Sequence, residues 1–137
     1  MMNHLLSNIQ LCEREEYARA AKQHGLTFNS LHEGYAVLME EAEEATEEVR
    51  NLDRAMATLW QATRNDDLPS AEQAADKIRQ TAYLLAAEAV QTAAMAHKLL
   101  TSMAGNRVPV IPTKEEPSPR QRRAGRFKKN ESPQIRL

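Results

Sequence analysis

Apolar residues recur at helical spacing along most of the first hundred positions. Between residues 31 and 60 they keep to one side of a helical wheel. With each residue advancing about 100° and Glu40 set at zero, they fall on an arc of roughly 120° to 200°. The members of this arc are Leu31, Leu38, Ala42, Ala45, Val49, Leu52, Met56 and Trp60. The pattern predicts one long amphipathic helix.

Two helices are predicted before residue 64. An imperfect apolar stripe predicts a first helix over residues 5–24, and Gly25 is expected to end it. Ser30 resembles an N-cap residue, and Glu33 three positions later completes a capping box. The second helix then continues to about Thr63.

A third helix is predicted after the turn at residues 65–69. Ser70 and Gln73 repeat the capping-box pattern, which places the start of the helix at Ser70. The helix reaches about Met103, and Gly105 is expected to stop it.

Three long helices with short links predict an all-α, antiparallel helical bundle. The helices are long relative to the core that about 100 structured residues can bury. We therefore expect a homodimer to complete the bundle.

The chain divides into two parts of opposite charge. Residues 1–104 have a net charge of −7 and form the predicted helical domain, whereas residues 105–137 have a net charge of +6 and contain five of the six prolines. This composition predicts a disordered, basic C-terminal tail over residues 105–137. Its polybasic segment, residues 120–129, is suited to nonspecific contact with nucleic acid or another polyanion. Folding back onto the acidic domain, or a role in solubility alone, are the alternatives.

The expected location is the cytoplasm. A single cysteine, Cys12, cannot form an intramolecular disulfide, which fits a reducing compartment. The sequence shows neither a run long enough for a transmembrane helix nor a signal-peptide pattern, so no membrane association is expected.

Glutamate is concentrated in the middle of the second predicted helix, where it occupies six of the nine positions from Glu40 to Glu48. Glu41, Glu44 and Glu48 lie on the border of the apolar arc, at about 100°, 40° and 80°. Those three can face a neighbouring helix. The other three point further into water.

The third predicted helix has one acidic residue between Lys77 and Met103, namely Glu88, in the middle of its apolar face. A buried carboxylate without a partner is costly, so its pKa shifts or a cation compensates its charge. Glu88 either forms a salt bridge, lies at a loosely packed edge, or joins an oxygen-rich site. In the last case Glu88 and Gln91 would complete a site with Glu41 and Glu44. The possible salt-bridge partners are Arg50, Arg54 and Lys77. Carboxylate and amide oxygens suit Mg²⁺ or Mn²⁺.

These segments resemble a known family. Glu40-Glu41-Ala42-Glu43-Glu44 matches the E-E-x-x-E motif of the all-α nucleoside triphosphate pyrophosphohydrolases, the MazG-like superfamily, in its small bacterial and phage form. Family members carry E-x-x-D on the next long helix. Here Glu88-Ala89-Val90-Gln91 takes that place, with glutamine instead of aspartate. The resemblance covers roughly residues 28–103.

The resemblance implies a helical dimer or tetramer that binds Mg²⁺ and splits a nucleoside triphosphate into a monophosphate and pyrophosphate. It implies that Glu41, Glu44 and Glu88 are metal ligands and that Gln91 stands at the fourth ligand position. Glu40 or Glu48 would lie just outside the ligands. A carboxylate free of metal, Glu40 or Glu44, would be the general base.

Glutamine at position 91 removes one negative charge from the implied site, so weaker metal binding and slow or absent turnover are expected. The alternative function is therefore a catalytically silent helical interaction protein, whose basic tail binds nucleic acid or a protein partner. The position of Glu88 distinguishes the two functions, because an enzyme needs its carboxylate beside Glu41 and Glu44.

Overall fold

In the computed structural model, which describes residues 2–107, the chain forms three helices and no strand. Helix α1 spans Met2–His24, α2 spans Leu31–Arg64 and α3 spans Leu68–Arg107. Helices α2 and α3 form the main packed pair, and α1 packs against α3. The all-α prediction is confirmed for these residues.

The first two helix boundaries follow local chemistry. Gly25 has a φ of +86°, a backbone conformation that glycine adopts without strain, and it ends α1. The hydroxyl of Ser30 accepts a hydrogen bond of 3.1 Å from the backbone N–H of Glu33. The Glu33 carboxylate in turn accepts one of 2.9 Å from the backbone N–H of Asn29. The predicted cap at Ser30 is confirmed.

The predicted start of the third helix at Ser70 is wrong. Helix α3 begins three residues after Asn65, at Leu68, and Asp67 caps it. One carboxylate oxygen of Asp67 accepts from the backbone N–H of Ser70 at 3.2 Å, and the other from the Ser70 hydroxyl at 2.6 Å. Pro69 is tolerated because the first turn of a helix has no partner for its missing N–H.

The predicted end of the third helix is also wrong. Helix α3 continues through Gly105 to Arg107, so the glycine does not act as a stop. The remainder of the predicted tail, residues 108–137 with the basic segment 120–129, lies outside the described residues.

The buried core is small and consists mainly of alanine. Close approach of α2 and α3 depends on Gly34, where an added Cβ would lie 2.7 Å from Cδ1 of Leu99. The backbone N–H of Phe28 donates to the Ser102 hydroxyl at 2.8 Å and fixes the α1–α2 connection on α3. The buried apolar residues are Phe28, Ala55, Ala62, Ala74 and Ala94.

Large apolar side chains are exposed on all three helices. Tyr35 is 66% exposed and Trp60 is 59% exposed, so neither is a core residue of this chain. Other members of this set are Leu5, Leu6, Ile9, Met39, Met56, Tyr83, Leu84 and Leu100. Among residues 2–107, no helix combines the length and the apolar character needed to cross a membrane.

Candidate metal centre and adjoining cavity

Three carboxylates from two helices meet at one place in the fold. Glu41 and Glu44 are three residues apart on α2, so they share one face of that helix. Glu88 projects from the middle of α3 toward the same point. One carboxylate oxygen from each of the three residues lies within 4.8 Å of the other two.

Two oxygens of this cluster are shielded from solvent and lack a hydrogen-bond partner. They are the Oε2 atoms of Glu41 and Glu88. Buried polar atoms are normally satisfied, and a buried carboxylate oxygen without a partner is unfavourable. The fold therefore holds these two oxygens where a cation or a proton would stabilise them.

The electrostatics of the cluster raise the pKa of both half-buried glutamates. For Glu41 the main cause of the raised pKa is desolvation, followed by the charges of Glu44, Glu88, Glu40 and Glu16. For Glu88 the pKa is raised first by desolvation and then by the charge of Glu44, to which a protonated Glu88 can donate a hydrogen bond. Glu48 adds a smaller repulsion. Repulsion from the neighbouring carboxylates disfavours ionisation, so Glu41 and Glu88 keep a proton more readily than an isolated glutamate does.

The donor set fits a hard divalent cation. Mg²⁺ binds oxygen ligands at about 2.0–2.1 Å, so two oxygens on one ion lie about 3 Å apart in cis positions and about 4 Å apart in trans positions. A cluster within 4.8 Å needs only small side-chain movements to reach these separations. The two unpartnered oxygens of Glu41 and Glu88 supply the acceptors that such an ion requires.

The other predicted site residues lie around the three carboxylates. Gln91 is half-buried and lines the same cavity as Glu41. Glu40 is exposed, and Glu48 is half-buried and accepts a hydrogen bond of 3.4 Å from the Asn51 side chain. None of the three cations proposed as salt-bridge partners of Glu88 binds it: Arg50 and Arg54 pair with Glu47, and Lys77 is exposed without an ion pair among the described residues.

A cavity of about 550 Å³ adjoins the cluster at Glu41. Residues from α2 and α3 form part of its wall, including Glu41, Gln91 and Lys98, and α1 contributes Glu16 and Arg19. A volume of this size is within the usual range for small-molecule sites, about 300–1,000 Å³. The cluster thus lies beside a space that can hold a ligand.

Sequence reasoning left two parts of this cavity unassigned. Lys77, Arg79 and Lys98 all lie on one predicted helix, and nothing in the sequence selects among them as contacts for a phosphate group. The structure separates them: Arg79 pairs with Asp76, Lys77 is exposed, and Lys98 is buried and lines the cavity. The contribution of α1 gave no sequence signal, because Glu16 and Arg19 resemble any surface ion pair at helical spacing.

His97 does not join the metal cluster. Its Nδ1 atom is 2.7 Å from Oε1 of Glu13, and its ring stacks on Tyr17 with centroids 4.1 Å apart. These contacts attach α1 to α3 on another side of that helix.

Comparison with protein-family models, curated protein sequences and solved structures returned no match for this chain.

Proposed function

We propose that this protein is a Mg²⁺-dependent nucleoside triphosphate pyrophosphohydrolase that resembles MazG-like proteins. The observation that carries the proposal is the meeting of Glu88 with Glu41 and Glu44, within 4.8 Å, across two helices. The unpartnered oxygens of Glu41 and Glu88 and the adjoining cavity give further support. Mn²⁺ is the other cation that this donor set suits.

In this proposal the three glutamates hold the cation, and Gln91 offers its amide oxygen as the fourth protein ligand. The bound cation neutralises phosphate charge and polarises the reacting groups. Glu41 and Glu88 are half-buried and fix the position of the site. Glu44 is exposed, so the cluster is in contact with solvent on that side.

The reaction requires attack of water on phosphorus and departure of pyrophosphate. A carboxylate near the cluster accepts the proton of the attacking water as the new P–O bond forms and the bond to the pyrophosphate oxygen breaks. Glu40 and Glu44 are the two residues suited to this role, because both are exposed beside the half-buried ligands. A side chain committed to the cation on both oxygens cannot also take the proton.

A homodimer is part of the same proposal. Large apolar side chains are exposed on all three helices, such as Tyr35, Trp60 and Leu84, and exposed apolar surface is typical of protein interfaces when it is contiguous. A second copy of the chain would cover such surfaces and enlarge a core that is now mostly alanine. Sedimentation equilibrium tests this part: a single monomeric species at micromolar concentration would contradict it.

The exposed apolar surface also favours a second candidate function, a silent helical interaction protein that binds another protein through these faces. Its basic segment, residues 120–129, would add contact with nucleic acid. In that case the three carboxylates of the cluster meet without a role in metal binding. Gln91, in place of aspartate, then marks a site without catalytic activity.

The deciding experiment is pyrophosphate release from a panel of ribonucleoside and deoxyribonucleoside triphosphates with Mg²⁺ or Mn²⁺. Release by the wild-type protein that is lost in Glu41→Ala supports the enzyme and identifies its substrate. Glu43→Ala is the matched control, because Glu43 is an exposed glutamate of the same helix outside the cluster. No release from any nucleotide contradicts the enzymatic proposal and favours the interaction protein.

A further inference from the structure

The cavity beside the glutamates contains a buried cation that the metal cluster does not use. Lys98 is 5% exposed, which is unusual for lysine, a residue almost never fully buried without a partner. Among the described residues, no carboxylate forms an ion pair with its ammonium group. The nitrogen instead lies 4.5 Å from the centre of the Phe28 ring, and both residues line the cavity.

The Phe28 ring compensates part of the cost of burying this charge. An ammonium over an aromatic face is attracted by the ring quadrupole, and the attraction is larger when the cation is shielded from water. The ring carries no net charge, however, so the Lys98 ammonium remains without an ion-pair partner among the described residues. A buried ammonium of this kind is stabilised further by any anion that enters the cavity.

Two other charged groups of the cavity already have partners, whereas Glu41 has none in the described part of the chain. Arg19 forms an ion pair with Glu16, and the Glu33 carboxylate accepts the backbone N–H of Asn29. No ion pair joins Lys98 to a glutamate of the cluster. The carboxylates of Glu16, Glu33 and Glu41 line the cavity, and Lys98 adds an ammonium group without an ion-pair partner among the described residues.

We infer that this cavity is an anion site in which Lys98 binds a phosphate group, with Arg19 at the cavity wall as a second, exposed cation. The inference rests on the proposed function for the identity of the anion, the phosphate chain of a nucleoside triphosphate. A phosphate chain suits the arrangement because it joins a hard cation at one end to an ammonium at the other. Lys98 is the residue that orients the chain across the cavity toward the three glutamates.

The test uses inorganic tripolyphosphate as the probe and the full-length chain as the protein. Binding is measured by isothermal titration calorimetry, once with Mg²⁺ present and once in EDTA, and Mg²⁺ binding without the anion is measured separately. Lys98→Met removes the charge and keeps the length of the side chain. Lys77→Met is the matched control, because it makes the same change at an exposed lysine of α3 outside the cavity.

With Mg²⁺ present, Lys98→Met is expected to weaken tripolyphosphate binding by at least about tenfold, equivalent to about 1.4 kcal/mol. Lys77→Met should stay within about twofold of wild type. The affinity of Lys98→Met for Mg²⁺ alone should also stay within about twofold. Tripolyphosphate binding that is unchanged in Lys98→Met overturns the inference, as does a wild-type protein that binds no tripolyphosphate in either condition.

Two further results separate this inference from the proposed function. If the wild type binds no Mg²⁺ but binds tripolyphosphate in EDTA, and Lys98→Met loses that binding, the anion site stands and the metal site fails. If Lys98→Met does not fold, Arg19→Gln carries the test, because Arg19 is exposed and its replacement leaves the core intact. Tripolyphosphate binding that is weaker by about threefold or more in Arg19→Gln supports the anion site. Tripolyphosphate binding that is unchanged in this variant overturns the inference.

Discussion

The Nδ1 atom of His97 on α3 lies 2.7 Å from Oε1 of Glu13 on α1. A carboxylate oxygen can only accept, so the imidazole nitrogen carries the proton in this contact. The Tyr17 ring stacks on His97, and the Tyr17 hydroxyl donates to the backbone carbonyl of Leu26 at 2.9 Å. Helix α1 has no buried residue of its own, so these polar and aromatic contacts hold it in place.

The Glu13–His97 contact is therefore expected to help hold α1, which forms part of the cavity wall, against α3. We expect Glu13→Ala to destabilise the docking of α1 by about 1 kcal/mol or less, since the pair is partly exposed. Hydrogen exchange of α1 amides should accelerate up to about fivefold, with little change in the α2–α3 pair. Glu15→Ala is the control, because Glu15 is an exposed glutamate of the same helix without an ion pair among the described residues. Equal acceleration in both variants would show that the contact does not hold α1.

Removal of the Glu88 carboxylate is expected to abolish Mg²⁺ binding. Among the described residues, Glu88 is the only carboxylate of α3 in the cluster, and Glu88→Ala removes it. The affinity for Mg²⁺ should fall by at least about tenfold, or about 1.4 kcal/mol. The helices should remain, because the variant also removes a buried charge that repels Glu44. Calorimetry with Mg²⁺ and far-ultraviolet circular dichroism check the two parts. Mg²⁺ affinity that is unchanged from wild type would exclude Glu88 as a ligand.

Replacement of Gln91 by aspartate should strengthen the site. Gln91→Asp adds a negative charge beside Glu41 in the cavity, and we expect Mg²⁺ to bind about tenfold more tightly. In the absence of metal the same variant should be less stable than wild type, because the new carboxylate adds repulsion. Calorimetric titration measures the first effect and thermal unfolding in EDTA the second. Weaker Mg²⁺ binding would show that position 91 does not face the ion.

The raised pKa of Glu88 predicts an unusual dependence of stability on pH. A raised pKa in the folded state means that the folded protein keeps a proton that the unfolded chain has released. From the ordinary value of 4.5 up to the raised value, the free energy of unfolding in EDTA therefore falls as pH rises. Glu88→Gln should remove this part of the decline and should be more stable than wild type at neutral pH.

Added Mg²⁺ should reverse the loss of stability in the wild type at neutral pH. At a concentration of about 100 times the dissociation constant, a ligand that binds only the folded state stabilises it by about 2.7 kcal/mol. Added Mg²⁺ should stabilise Glu88→Gln much less than the wild type, whereas it should stabilise Glu43→Gln as much as the wild type. A wild-type protein whose stability rises steadily from pH 5 to pH 8 in EDTA, in parallel with Glu88→Gln, would contradict the predicted linkage.

The sequence determined those features that depend on neighbouring residues alone. The apolar arc predicts α2, the glycine at position 25 ends α1, and the Ser30 side chain caps α2 because its partner is three residues away. The shared face of Glu41 and Glu44 follows from their spacing on one helix. The sequence pattern misplaces the start of α3 for an equally local reason: Asp67 and Ser70 can both cap a helix, and Asp67 accepts hydrogen bonds from the hydroxyl and the backbone N–H of Ser70.

Tertiary structure decided which side chains of different helices meet. The register of α3 against α2 is set by close packing, as where Leu99 enters the space that Gly34 leaves, and this register brings Glu88 to Glu41. The same packing buries Lys98 and leaves Lys77 exposed, a difference that the helical pattern does not contain. Periodicity fixes the angle of a residue around its own helix, whereas the depth and the neighbours of that residue depend on how side chains of distant segments fit together.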